Sequence, residues 1–449
     1  MHRIVRAAPL VLALAALRPA LAQVPAGFEA YRLDNGLTVL LWPDPRSPVV
    51  TVDVWYDVGS RNERPGRSGF AHLFEHMMFQ GSENVGKTEH LTLIERAGGS
   101  VNGSTTEDRT NYFETLPPHR LNLGLWLEAD RMRSLAITQE NFENQRQVVK
   151  EERRLRIDNS PYGPSYLAAL YELPYNPQTC YAYAHSVIGS MADLDAAKLE
   201  DVRAFFDAYY APNNATVTVV GNFDPEVAKR LVQEYFGGIP RRDPPPQVEC
   251  RDPFRLPRRD TIVDRIAPAP AVFLSHGMPA VDHQDIPALE LLASILAEGE
   301  SSRLYQRLVR QEKAAVNVTA NADVRRGPGI FIVFAIATPG TAPDRLERLL
   351  LEEIDRVARD GVRPEELEKA RNQVRANRAF AAQTALGKAE MLQWAKHFLG
   401  DPRAAFTLLD RYRAVTAADI QRVARTYLTA QNRGTLITMP ASANRGGTR

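Results

Sequence analysis

The sequence predicts an α+β fold made of two halves of similar design, and three observations carry that expectation. Strand-like and helical stretches mix without strict βαβ alternation, which favours largely antiparallel sheets with helices packed on them. The order of elements begins again after IPRRDPPPQVECRDPFRLPRRD (239–260), a stretch crowded with proline and charge and without periodicity, as interdomain linkers are. At 449 residues, with 44% hydrophobic and 24% charged, the chain is too long for one ordinary core and apolar enough for two. The halves are expected at 23–240 and 261–440, joined by 241–260, with 441–449 as a flexible tail.

In the first half, YRLDNGLTVLLWPD alternates around an Asn35-Gly36 hairpin turn, and VVTVDVWYDVGS (49–60) is β-branched enough for a central strand. Phe70, Leu73, Phe74, Met77 and Met78 then recur at helical spacing, with Gly81 placed as a C-terminal cap. A second helix is expected over Thr88–Ala97, ending at Gly98-Gly99. SVNGSTTEDRTNYFETLP reads as two strands around a turn at Glu107-Asp108, stopped by Pro117-Pro118. Helices follow near 118–134 and 139–158, then a strand at 214–223 and a glycine-terminated helix, PEVAKRLVQEYFGGI. Past the linker, APAVFLSHGMP predicts a strand, DIPALELLASILAEG and SSRLYQRLVRQE helices, GIFIVFAIATP a strand, and RLERLLLEEIDRVARDG a long helix.

The N-terminus reads as an export signal: Arg3 and Arg6, an apolar run to Leu17, and Ala20-Leu21-Ala22 as a small-x-small cleavage pattern. The mature chain is expected to begin at Gln23 in a periplasm, without a stable membrane span, because the run is short for a bilayer. Removing residues 1–22 takes away three arginines and no acid, moving the formal charge from +1 to −2. That balance gives no electrostatic footprint for nucleic acid. The basic cluster RRLRIDN (153–159) closes a helical pattern, where the helix dipole suffices to explain it. Cys180 and Cys250 either stay as two buried thiols or form one bridge.

The chemistry concentrates in GFAHLFEHMMFQGS (69–82). Residues four apart share a helix face, so His72 and His76 can aim at one point. Two neutral imidazoles there suit Zn²⁺, which in hydrolytic sites takes a third protein ligand as well. Glu75, beside the pair, is placed to take a proton from a water that the ion acidifies. Two polar residues on a solvated face are the bland reading. The apolar company of this helix weakens it, since a largely buried helix does not carry two histidines and a glutamate without partners. The remaining histidines (His90, His119, His185, His276, His283, His397) show no metal-like spacing and are expected on the surface or in satisfied structural roles.

The order H-x-x-E-H within this stretch resembles the inverzincin signature of the pitrilysin and insulin-degrading-enzyme (insulinase) family, which includes the mitochondrial processing peptidases. The resemblance implies two homologous α/β-sandwich halves forming a clamshell, the first binding zinc and the second inactive. It also implies a third ligand about 76 residues after the second histidine, a count that lands on Glu152 in RQVVKEERR. Glu151 is the competitor; the two point about 100° apart on one helix, so only one can face the metal. Many relatives carry a supporting glutamate where this chain has Gln145. GGSVNGSTTEDRTNYF is similar to the family's active-site edge strand, which pairs with substrate backbone. By that similarity Asn102 and Gly103 would lie near the scissile peptide, while Asn102 reads equally well as a turn residue.

One departure bears on partners. Single-chain relatives place an arginine and a tyrosine seven apart in the second half; in RQEKAAVN, Arg310 fits the arginine and would contact substrate, but Asn317 stands at the tyrosine. A phenol able to hydrogen-bond a developing oxyanion is missing there. The resemblance therefore implies a zinc endopeptidase acting on peptides or unstructured polypeptides as the H-x-x-E-H subunit of a dimer, its homologous partner supplying the arginine and tyrosine. A homodimer or monomer, a catalytically silent peptide-binding or scaffold subunit, and a metal-carrying protein are the alternatives.

Overall fold

The computed structural model describes residues 24–441; the expected export signal and residues 442–449 of the expected tail lie outside them. The first half runs β1 (Glu29–Arg32), β2 (Thr38–Pro43), β3 (Val50–Tyr56), α1 (Phe70–Met77), α2 (Glu89–Arg96), β4 (Ser100–Thr105), β5 (Thr110–Leu116), α3 (Leu121–Ser134), α4 (Gln139–Arg153), α5 (Gly163–Leu167), α6 (Met191–Ala196), α7 (Leu199–Tyr209), β6 (Ala215–Gly221) and α8 (Pro225–Phe236). The second runs β7 (Arg258–Asp264), β8 (Ala271–Met278), α9 (Ile286–Ala297), β9 (Ala315–Asp323), β10 (Gly329–Ala337), α10 (Pro343–Asp360), α11 (Pro364–Ala381), α12 (Ala385–Leu399), α13 (Ala404–Ala414), α14 (Ala417–Tyr427) and β11 (Arg433–Pro440). β7, β9 and β11, α5 to α7 and α11 to α14 are not among the elements the sequence predicts, and Tyr305–Gln311 is a π-helical stretch.

Both sheets are wired alike. The first has the order β1-β2-β6-β3-β5-β4 and the second β7-β11-β8-β10-β9. In each, the central strand is antiparallel to both neighbours (β3 to β5 and β6, β8 to β10 and β11). Each also contains one parallel pair, β2 with β6 and β7 with β11. Setting β2, β3, β4, β5 and β6 against β7, β8, β9, β10 and β11 leaves only β1 without a counterpart.

Strand alternation gives each sheet two apolar faces. On one face of the first sheet Val39, Leu41, Val52, Val54, Val217 and Val219 pack against Leu73, Phe74, Leu125 and Phe206, all buried. The other face carries Leu40 and Val220, covered by Ala389, Leu392 and Ala395 of α12 from the second half. The exchange is reciprocal. Residues of the 162–183 stretch in the first half, among them Ala169, Leu170 and Tyr175, pack on Phe273, Ile330, Ile332 and Leu436 of the second sheet. Each half thus lends a segment that completes the core of the other.

Polar links fix this exchange. The carboxamide of Gln393 on α12 donates to the backbone oxygens of Asp53 (3.0 Å) and Thr216 (2.9 Å), and Asn111 on β5 donates to Glu390 (3.0 Å). Cys180 and Cys250 are bridged across 70 residues, tying the lent stretch of the first half to the connecting segment before β7.

Candidate metal centre

The site is built on α1, α4 and β4. Gly69 precedes α1 at φ 89°, a left-handed conformation that costs glycine little. A side chain there would also meet Ile188 O at 2.9 Å and Gly189 Cα at 3.0 Å. The first turn of α1 is held from below by the buried carboxylate of Glu63, which accepts from Gly69 N (2.9 Å) and Ala71 N (2.7 Å); an anion here also suits the helix dipole. Phe70, Leu73, Phe74 and Met77 anchor the helix in the core, leaving His72, Glu75 and His76 on the face toward β4 and α4.

α4 starts at Thr138, whose hydroxyl accepts from Asn141 N, and continues as a π-helical turn over Arg154–Asp158. Glu152, on its last turn, approaches both histidines: its Oε2 is 3.3 Å from His76 Nε2 and 3.6 Å from His72 Nε2. Glu151 points elsewhere, 58% exposed and paired with Arg154. The three donor atoms lie within 4.8 Å of one another. The two contacts to Glu152 exceed the about 2.9 Å of a good N–H···O bond. They match the about 3.4 Å separation of ligand atoms around a tetrahedral ion with bonds of about 2.1 Å. The donor set, two imidazoles and a carboxylate, fits a divalent metal. Burial and the neighbouring His76 lower the His72 pKa to about 4, so its ring is neutral and free to coordinate. The close approach of the His76 ring leads the causes that hold Glu152 below its ordinary value, as an anion.

Glu75 sits one step from this cradle. Burial raises its pKa, opposed by a hydrogen bond from Thr105 Oγ1 on β4 (2.6 Å). That contact needs β4 close, and Gly103 permits it: a methyl group there would lie 3.3 Å from Glu75 Cγ. A cavity of about 710 Å³ opens over these groups, lined by His72, Glu75, His76, Gln145, Glu152 and Arg156 together with Asn102 to Thr105. β4 is the outermost strand of its sheet and so presents an unpaired backbone edge to the cavity.

The remaining expected residues divide. Gly103 lines the cavity. Asn102 does too, but strand alternation turns its side chain to the face opposite Thr105, and its Oδ1 accepts from Gly103 N (2.9 Å). Arg310 is not brought to the site. It pairs with Glu300 (2.6 Å), is 56% exposed, and lies outside the cavity lining, as does Asn317 on β9. The sequence reading missed Thr105 and Arg156, whose guanidinium pairs with Glu152 Oε1 at 2.8 Å. The four-residue step from Glu152 to Arg156 was a visible signal that the dipole explanation of RRLRIDN passed over.

Of the other histidines, His90 takes the satisfied structural role expected of it and His276 does not. His90 is buried against Glu114 (3.0 Å), and with Glu128 forms a second group of potential metal donors; Arg131 fills it, bonding Glu128 through its Nε and Nη2. His276 is neither on the surface nor satisfied: it is fully buried and neither ring nitrogen has a partner.

Residues 38–163, which hold every candidate ligand and Glu75, match the family described as Insulinase (Peptidase family M16), and residues 196–374 match the Peptidase M16 inactive domain. A curated protein of Helicobacter pylori, "Zinc protease PqqE", is 33% identical over 346 residues, covering 76% of this chain and 77% of its own length. The chain belongs to the M16 family. Among other relatives, an "Uncharacterized zinc protease" of Rickettsia bellii is 25% identical over 402 residues, covering 88% of this chain and 94% of its own length. The crystal structure of a protease from Helicobacter pylori superposes with a TM-score of 0.84 at 28% identity, covering 92% of this chain and 99% of that one. The periplasmic protease PqqL from Escherichia coli shares the fold, with a TM-score of 0.75 at 18% identity over 95% of this chain and 49% of its own. The two-half architecture is thus that of M16 peptidases.

Proposed function

We propose that this chain is a zinc-dependent endopeptidase hydrolysing peptides or unstructured polypeptides. The observation that carries the reading is the convergence of Glu152 on His72 and His76, with Glu75 beside them at the mouth of a cavity edged by a free strand. His72, His76 and Glu152 would hold the ion. Zinc bound there supplies a Lewis acid that polarises a carbonyl and makes water acidic near neutral pH. Glu75, with its pKa raised by burial, takes a proton from the attacking water and delivers it to the leaving amine. Thr105 orients that carboxylate. β4 offers backbone groups to an extended substrate, with Gly103 and Asn102 beside the scissile peptide. Such pairing reads little side-chain sequence, so size and flexibility of the substrate govern selection.

The chain is exported to a periplasm and works with a homologous subunit. The partner reading rests on Arg310 pairing with Glu300 away from the cavity and on asparagine at position 317. A partner bearing an arginine and a tyrosine supplies what this chain lacks. The intact donor set speaks against a silent scaffold subunit.

The deciding experiment is metal analysis with cleavage of an unstructured peptide, alone and with such a partner. Glu75→Gln retains zinc and loses cleavage; His76→Ala loses both. A chain that takes up no divalent ion overturns the reading, and full turnover by the lone chain refutes the need for a partner.

A further inference from the structure

The buried turn from Cys180 to His185 contributes no residue to the cavity, yet it touches the supports of both walls of the candidate site. The residues just before it are laced to the connecting segment before β7: Asn176 N donates to Pro253 O (2.8 Å), Arg251 N to Thr179 O (2.9 Å), and the Cys180–Cys250 bridge carries the join into the turn.

From this base two side chains reach out. Tyr183, 1% exposed, donates its hydroxyl to Asp108 Oδ1 (2.7 Å) and accepts from Gly327 N (2.8 Å) in the β9–β10 turn. Asp108 lies in the turn between β4 and β5 and also accepts from Arg326 N (2.8 Å). The tip of the hairpin that carries Thr105 to Glu75 is therefore gripped by this tyrosine and by the second half together. His185 takes the other direction. Its Nδ1 is 2.8 Å from Tyr181 O, and its Nε2 is 2.9 Å from Ser60 O and 3.0 Å from Glu63 Oε2. Acceptors at both nitrogens call for a proton on each, so the ring is a cation facing a carboxylate. Glu63 is the group that holds the first turn of α1 at Gly69 and at Ala71, the residue before His72.

We propose that Tyr183 and His185 are positioning residues for the candidate site, one setting the β4–β5 hairpin against Glu75 and the other setting the metal-holding helix through Glu63. The Cys180–Cys250 bridge fixes the turn from which both act. The inference rests on reading the site as a metallopeptidase centre. It divides the labour: His185 acts on metal binding, Tyr183 on the proton-transferring carboxylate, and the bridge on both.

The test is a Co²⁺ and Zn²⁺ titration against a competing chelator, with peptide turnover, on the full chain and four variants of it. His185→Ala should weaken metal binding about tenfold or more, as loss of a group supporting a ligand does, and His185→Gln, which keeps a donor, should recover most of it. Tyr183→Phe should leave metal affinity within about twofold while lowering kcat with KM nearly unchanged, by up to the about 10²-fold that a 1 Å misplacement of a catalytic group brings. A chain with both Cys180→Ser and Cys250→Ser should show both defects. Folded His185→Ala protein with wild-type metal affinity overturns the proposal, even where turnover is too slow to follow. So does a Tyr183→Phe defect spread equally over metal binding, kcat and melting temperature. Wild-type protein that binds no metal removes the reading of the site itself; wild-type metal binding with unaltered variants removes only this inference.

Discussion

Helices α1 and α9 occupy the same place in their respective halves. Each follows the central strand of its sheet. α1 packs on β4, α4 and α7, and α9 on β9, α11 and α14. Nine residues of α9 are buried, all of them apolar, and its one acid, Glu290, is satisfied by the hydroxyl of Tyr412 at 2.7 Å. α1 keeps the apolar back but places two imidazoles and a carboxylate on its front, with Glu152 converging on them and a cavity before them. With the scaffold alike in both, those three side chains, Glu152 and the space in front of them distinguish the first half from the second. Burying such groups is unfavourable unless something compensates.

The comparison can be broken at its centre by Glu75→Gln, which should reduce peptide cleavage about 10²- to 10⁴-fold with metal content unchanged; retention of activity would reduce α1 to a decorated copy of α9. The interlocking of the halves gives the next largest effect. Leu392→Ala on α12, at a fully buried side chain, should cost about 2–5 kcal/mol. Unfolding should remain one transition when followed in either half, because each core contains the other's segment. A separate early transition of the second half would contradict that.

Acid titration sharpens the contrast between satisfied and unsatisfied histidines. Burial lowers the His276 pKa to about 3, against about 6.5 in the unfolded chain. Because the folded value is the lower one, the unfolded state takes up the proton first. The stability tied to this group is complete above about pH 6.5 and declines as pH falls toward 3, by up to about 1.4 kcal/mol per pH unit. Denaturant midpoints measured from pH 7 to 4 should fall less steeply in His276→Leu. The smallest effect belongs to Glu290→Gln: cleavage unchanged, and stability altered by less than about 1 kcal/mol, since the amide still meets Tyr412.

What could be read from the sequence follows from how local each signal is. α1, β3, β5 and β8 carry dense apolar periodicity and emerged where expected. β7, sequence RRDTIVD, is an edge strand with mostly exposed side chains, so its charge resembled linker. The approach of Glu152 to His72 and His76 came from a family spacing, because no local pattern joins residues so far apart. The bridge between Cys180 and Cys250 is one of two alternatives the sequence leaves open, because the distance between the thiols is set by the fold; the exchange of α12 could not be read at all, since α12 follows a helical period but which sheet it covers depends on the whole chain. Arg310 shows the opposite hazard, a motif match whose side chain turned to a neighbouring glutamate instead.

The lending of α12 also orders events during synthesis. Leu40 and Val220, near the beginning and end of the first half, are wholly shielded only when Ala389 and Leu392 arrive. A ribosome must therefore pass residue 399 before the half bearing H-x-x-E-H can close its outer face, and until then a greasy strand surface waits in the open. Maturation of the half that carries H-x-x-E-H is thus timed by the last fifth of the polypeptide, well after its own residues have been made.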